Sequence, residues 1–456
     1  MKNSRKNGNF LIGLILAASA LKWLAWVAIV PFFQMPDEPA HFCYVQKLAE
    51  TSKLFLGKAD TSFTEEVTSA WREGGQEELS FSRVNKYDFA AGEYGEYEKK
   101  MKNAPLEARS KLTDIPLVPV QYPPLYYLSA TPFYNLFYSG NILDRDFAVR
   151  IFSALLGLFT VFVVYKTAGL IFPKHKYVPE TIALLVSFNP MFTFISASIN
   201  SDCLLNALFS LFIYYYIKIC LNKHSLKDVL LLAAVVALGF LTKQPFILSL
   251  VILVIALFFF LKLSIKIKLA IAAGCLLVST VAFVYLSQNF PMPVISSSAG
   301  QFFKHMLLKS VPFFYFDFIG SFFGNFGWLD TPMPNVILNI LFTVFYAAVL
   351  LFLVDAFRSF KKNGEAFLSA KQYMILAVPA IIYILSVIYI ESNTKFGLQG
   401  RYFFPVISLI YSCLLGGLLS VIPEKFRARF LFAAAILTVL LNMYCLFGVI
   451  VPKYYL

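Results

Sequence analysis

The sequence predicts an all-α polytopic membrane protein, and three observations carry that prediction. Of 456 residues, 59% are hydrophobic and 17% aromatic, while only 14% are charged, against about a quarter in a soluble domain. Mean hydropathy is +0.69. Apolar runs of membrane-spanning length recur along the chain, and the basic residues cluster between alternate runs. The net charge of +13 is therefore explained by topology, which excludes a nucleic-acid partner. The six cysteines, Cys43, Cys203, Cys220, Cys275, Cys413 and Cys445, form no CxxC pair and mostly lie within apolar runs. They read as small core residues, not as a disulfide framework or a metal site.

Met1 to Asn9 is a short basic tail with Lys2, Arg5 and Lys6, and Phe10 to Phe33 is the first span. The span has no small-residue cleavage site and reads as an uncleaved anchor. Lys22 near its middle is costly in lipid, so it is expected to face the bundle interior and find a partner. Residues 34–146 form a long polar loop. Within it the stretch 124–138, rich in tyrosine and broken by Pro132, suits the interface better than the bilayer core. A second external segment, 289–334, holds the aromatic stretch Pro312 to Trp328, expected along or dipping into the outer leaflet.

The remaining spans, by apolar run length, are 147–172, 179–199, 202–221, 226–242, 244–262, 267–288, 335–357, 371–391, 403–421 and 429–450. With the first they make about eleven transmembrane helices. If 124–138 stays out of the bilayer, every basic cluster falls on one side: Lys2 to Lys6, Lys174 and Lys176, Lys218 to Lys227, Lys262 to Lys268, Arg358 to Lys371, and Lys425 to Arg429. That side is the cytoplasm by the positive-inside rule, which leaves 34–146 and 289–334 outside.

Pro36-Asp37-Glu38-Pro39-Ala40-His41-Phe42 places two carboxylates just beyond the first span. Pro39 suits the first helical position with Glu38 as N-cap. Phe42, Val45 and Leu48 then recur at helical spacing, with Gln46, Lys47 and Glu50 opposite. The carboxylates sit at the positive end of the helix dipole, which favours their ionised form. They either cap the helix or serve as a general base at the membrane surface.

The same topology collects single polar residues at the external helix ends. Arg150 opens the second span and pairs by spacing with Asp146. Asp202 lies at the turn between the third and fourth spans, Lys243-Gln244-Pro245 joins the fifth and sixth, and Arg401-Tyr402 opens the tenth. Caps and snorkelling bases account for such residues singly. Together Asp37, Asp202, Arg150, Lys243 and Arg401 can line an anion site. Glycosyl transfer from a lipid-phosphate sugar suits such a site. The phosphate leaves as a stable anion, so the reaction needs fixed positive charge and one carboxylate to take the acceptor's proton, unlike a glycosidase with two opposed carboxylates.

In order along the chain, PDEPAHF, QYPPLYY, SINSDCLLNAL, FGWLDTPMP and LQGRYFFP resemble the GT-C superfamily of polyprenyl-phosphate-sugar glycosyltransferases. Protein O-mannosyltransferases and lipid A aminoarabinose transferases are relatives, and the closer resemblance is to a bacterial membrane branch. The resemblance implies one GT-C-like transmembrane domain over 1–456. It implies an inverting transferase on the outer face of the cytoplasmic membrane, using a sugar carried on undecaprenyl phosphate. Asp37 matches the catalytic base, Glu38 its supporting neighbour and Asp202 the acidic position beside the acceptor. Arg150 and Arg401 match positions near the donor phosphate.

His41, Tyr122, Lys243, Gln399 and Tyr402 complete the expected substrate-binding set. The expected partners are a polyprenyl-phosphate sugar, a glycan or lipid acceptor and membrane lipids, with no cofactor and no divalent metal. The chain ends at Leu456 without the soluble C-terminal domain of some relatives, so no separate acceptor-binding module is expected. Two rival readings share the lipid. A lipid-linked-sugar flippase should show corresponding broken helices in two halves, and no internal repeat is seen. An envelope polysaccharide polymerase or ligase would call for a diphosphate donor and more external arginine.

Overall fold

The first apolar run folds as α1 (Lys2–Ile29), because in lipid a helix satisfies each backbone N–H and C=O within its own segment. The computed structural model describes residues 2–54, 62–73, 93–103, 106–117, 122–289, 308, 310–361, 366–392 and 398–456. Four shorter helices follow: α2 (Glu38–Thr51), α3 (Glu65–Glu73), α4 (Glu93–Lys102) and α5 (Leu125–Leu136). Next come α6 (Ile142–Ile171), α7 (Val178–Ser187), α8 (Pro190–Ser196), α9 (Asp202–Cys220), α10 (Leu226–Phe240), α11 (Leu248–Phe260) and α12 (Ile265–Asn289). The last third holds α13 (Phe318–Phe323), α14 (Asn335–Lys361), α15 (Ala370–Ser392), α16 (Ile407–Val421), α17 (Glu424–Tyr444) and α18 (Val451–Tyr455). Two short antiparallel ladders qualify the all-α expectation. They pair Ser62–Thr64 with Leu112–Pro116, and Asn325–Phe326 with Thr331–Pro332.

Among the described residues, eight helices are long and apolar enough to cross a membrane. The pair α7 and α8, bent by 62°, makes a ninth if counted as one span. The expected number was about eleven, so the count differs. The runs 226–242 and 244–262 form a 15-residue helix, then a 3-10 turn at Gln244–Ile247 leading into a 13-residue helix. Each piece is shorter than a span by itself, but the pairs Lys218–Asp228 and Lys243–Asp202 join the two ends of α10 to the two ends of α9, so α10 runs the length of that helix. The difference from eleven lies in these two short helices, which Thr242-Lys243-Gln244-Pro245 separates. The 124–138 stretch is α5, whose 12 residues span about 18 Å and fall short of a crossing.

Lys22 finds its partner in the break between α7 and α8, not in a carboxylate. Its Nζ donates to the Ser187 carbonyl, to Ser187 Oγ at 3.3 Å and to Thr193 Oγ1 at 3.1 Å. The same amine lies 3.6 Å from the Trp23 ring centroid. Asn442 on α17 donates to the Phe188 carbonyl and to Thr193 Oγ1. Side chains thus satisfy the carbonyls that the bend frees, as backbone at membrane depth requires. The bend carries α8 to the loop before Asp202.

The four shorter helices after α1 are tied to α6 by a buried pair. Arg145 on α6 holds Glu66 on α3 at 2.6 and 3.2 Å and donates to Tyr134 Oη at 2.6 Å. The two polar segments also meet: Trp328 stacks on Trp71 and its Nε1 donates to the Phe33 carbonyl. Of the aromatic stretch expected at the outer leaflet, Tyr315 and Phe316 are exposed, whereas Phe318, Phe322, Phe326 and Trp328 are buried in the protein.

Candidate active site

The two carboxylates of the PDEPAHF motif part company at the backbone. Asp37 is itself the N-cap of α2, in the left-handed region at φ 65° and ψ 0°, and its side chain makes no capping bond. Glu38 was expected there. It lies one residue inside the helix instead, because its side chain is drawn to a guanidinium. The Asp37 carbonyl accepts from Ala40 and His41 N–H at 3.2 Å each, so the turn is closed by backbone and the Asp37 carboxylate stays free of it.

Glu38 takes a bidentate hold from Arg150, Nε at 2.9 Å and Nη2 at 2.6 Å, and accepts from the Ile199 N–H at 3.1 Å. Arg150 also pairs with Asp146 at 2.8 Å and donates to the carbonyls of Val30 and Pro31. The Arg150–Asp146 pair is the one its spacing suggested. Every nitrogen of Arg150 is engaged and all three side chains are buried. The arrangement ties together the end of α1, the start of α2, α6 and the loop before α9. It places Arg150 away from any open anion site, in contrast to its expected position at a donor phosphate.

Asp37 points the other way, with its side chain 35% exposed, and accepts from Arg401 Nη2 at 2.8 Å. Arg401 arrives there because Gly400 lets the backbone pass close to another segment. A Cβ on Gly400 would fall 2.4 Å from the Phe322 nitrogen, and the Gly400 N–H donates to Ser321 Oγ at 2.8 Å. The Arg401 guanidinium lies over the Tyr402 ring at 5.4 Å. Its Nε and Nη1, and the Oε1 of Gln399, are buried without a partner.

A second ion pair stands beside the first. Lys243 Nζ donates to Asp202 Oδ1 and lies 4.7 Å from the Tyr122 ring centroid. Burial pulls the Lys243 ammonium down, but Asp202 above all outweighs it and holds the group above its ordinary value. His41, one turn beyond Asp37, shares a 2.8 Å hydrogen bond between its Nδ1 and the Tyr127 hydroxyl and stacks with Tyr122 and Tyr127. Burial pushes its pKa down to about 4. The pull of Asp37 and Asp202 is set against the push of Lys243 and Arg401, so all four charges surround this neutral ring.

Asp37, His41, Tyr122, Asp202, Lys243, Arg401 and Tyr402 are therefore gathered at one end of the bundle, with Gln399 beside Arg401. Glu38 and Arg150 stand behind them. Sequence reasoning missed Tyr127 as the partner of His41, and Tyr126, whose hydroxyl accepts from the Asn200 N–H at 3.1 Å and steadies the Asp202 loop. QYPPLYY contained both tyrosines without distinguishing them. Among the described residues no three His, Cys, Asp or Glu side chains converge as a metal-binding group.

The family described as Predicted membrane protein (DUF2142) matches residues 21–410. No curated protein matches the chain. Among solved structures, the oligosaccharyltransferase of Archaeoglobus fulgidus in complex with Zn and sulfate is similar, with 13% identity and a TM-score of 0.52. The match covers 94% of this chain and 52% of that one, so this chain spans about half its length. ArnT from Cupriavidus metallidurans is similar over 97% of this chain and 73% of that one, with 12% identity and a TM-score of 0.46 in the apo state. The same enzyme bound to undecaprenyl phosphate gives 13% identity and a TM-score of 0.44. The likeness to the oligosaccharyltransferase shows that the two chains share a fold over this length.

Proposed function

The chain belongs to the DUF2142 family of membrane proteins, and on that premise we propose that it is an inverting glycosyltransferase. It moves a sugar from a polyprenyl-phosphate donor to a cell-envelope glycan or lipid on the outer face of the bacterial cytoplasmic membrane. One observation carries this reading: Asp37 is the partly open carboxylate of the cluster, and its partner Arg401 keeps Nε and Nη1 unused. Either nitrogen can donate to a phosphate oxygen, while the carboxylate stays within reach of an acceptor hydroxyl.

In the reaction, the acceptor oxygen attacks the anomeric carbon as the bond from that carbon to the phosphate oxygen breaks. The electron pair of the breaking bond stays on the phosphate. The acceptor's proton goes to Asp37. The leaving group gains a negative charge, which Arg401 and Lys243 are placed to stabilise as fixed, preorganised cations. Asp202, held by Lys243, orients the acceptor. Glu38 and Arg150 are positioning residues that fix the backbone of Asp37. The N-terminus is cytoplasmic in this reading, which puts the basic clusters inside and the site outside.

Mass spectrometry of envelope glycans tests the proposal. Loss of the protein should remove a sugar from a glycan or glycolipid, and Asp37→Asn should fail to restore it. A full restoration by that variant removes the base assignment. Lipid-linked sugar trapped in the inner leaflet would point to a flippase instead.

A further inference from the structure

Arg401 and Gln399 are not alone in carrying unused polar atoms. On α9, which packs against the Gly400–Val406 turn, both amide atoms of Asn206 and the Ser210 hydroxyl are buried and have no partner. Asp202, Asn206 and Ser210 stand four residues apart, so they share one helix face running inward from the ion pairs. The Ser408 hydroxyl, just past the same turn, is likewise buried and unpartnered. Orphan amides destabilise a membrane bundle, because no lipid replaces the lost hydrogen bonds.

We infer that the seam between α9 and residues 399–408 is a subsite for the hydroxyl groups of the donor sugar, with Asn206 as its specificity-determining residue. This rests on the donor reading above. An amide offers a donor and an acceptor on one group, which matches a sugar hydroxyl with the same two capacities. A phosphate would leave Asn206 Oδ1 unpaired, and a lipid tail would leave both atoms unpaired. The phosphate therefore goes to Arg401 and the sugar hydroxyls to Asn206 and Gln399. These atoms are closed off from solvent here, so the side chains along the seam part when the sugar enters.

The test uses the full chain in lipid nanodiscs with two kinds of probe: bare undecaprenyl phosphate, and the same lipid bearing glucose, mannose, galactose or N-acetylglucosamine. The wild type should bind one of the sugar-bearing lipids more tightly than the bare one. Asn206→Leu should lose that preference, an effect of about threefold to tenfold, while binding the bare lipid as the wild type does. It should also melt no lower, because an apolar group of similar shape replaces an unpaired amide. A variant that keeps the sugar preference overturns the subsite and leaves the seam to buried water. A wild type that prefers none of the sugars overturns it too, whereas one that binds no undecaprenyl phosphate at all sinks the donor reading together with it.

Discussion

Asp37 and Glu38 are adjacent in sequence and opposite in circumstance. Glu38 is buried and saturated, holding a bidentate guanidinium and a backbone N–H. Asp37 is partly open and shares its carboxylate with a guanidinium that has two nitrogens to spare. The positive φ of Asp37 sends the two side chains to different partners. The same carboxylate chemistry thus builds the frame at one position and is presented to a ligand at the next. Saturation of hydrogen bonding, more than charge, separates the two roles.

The largest expected effect falls on the open member. Asp37→Asn should lower transfer about 10³-fold while leaving the melting temperature and the affinity for undecaprenyl phosphate nearly unchanged. An equal loss of folding would erase the contrast with Glu38. On the saturated side the pattern reverses. Arg150→Met strands Glu38 and Asp146 as uncompensated buried charges and should cost about 3–5 kcal/mol of stability, read as a lower melting temperature, with turnover of the surviving folded protein largely kept. Unaltered stability in that variant would show that the frame does not depend on the pair.

PDEPAHF and LQGRYFFP named both halves of the Asp37–Arg401 pair, because the residue types and their places beyond apolar runs are written in the chain. The division of labour between Asp37 and Glu38 was not legible, since it depends on one backbone dihedral and on partners at Val30, Pro31, Asp146 and Ile199. Arg150 looked like a phosphate ligand for the same reason: a sequence gives a guanidinium but not the carbonyls that fill it. The number of long apolar helices fell short of eleven on either side of Lys243, where two runs read as spans form helices of 15 and 13 residues. Asn206 gave no signal, because an asparagine within SINSDCLLNAL differs from a bonded one only in lacking a partner.

His41 sharpens the comparison through pH. Its folded-state pKa of about 4 lies below the ordinary 6.5, so the folded protein binds fewer protons than the unfolded chain in that window. The associated stability is complete above about pH 6.5 and is lost as pH falls toward 4, amounting to about 3 kcal/mol. Melting temperature measured across that range should decline less for His41→Gln than for the wild type. The smallest of the expected effects belongs to the cation. Arg401→Ala should slow transfer about 10²-fold and weaken undecaprenyl phosphate binding, and unchanged affinity would remove it from the donor site.

The anomeric configuration of the product tests the central claim most directly. Among the described residues of the site, Asp37 is the open carboxylate, Glu38 is locked by Arg150 and Asp202 is held by Lys243; with Asp37 as the base, none of the three is left to form a covalent sugar intermediate. NMR of the product made from a lipid-linked sugar of known configuration should therefore show inversion. Retention would contradict the account.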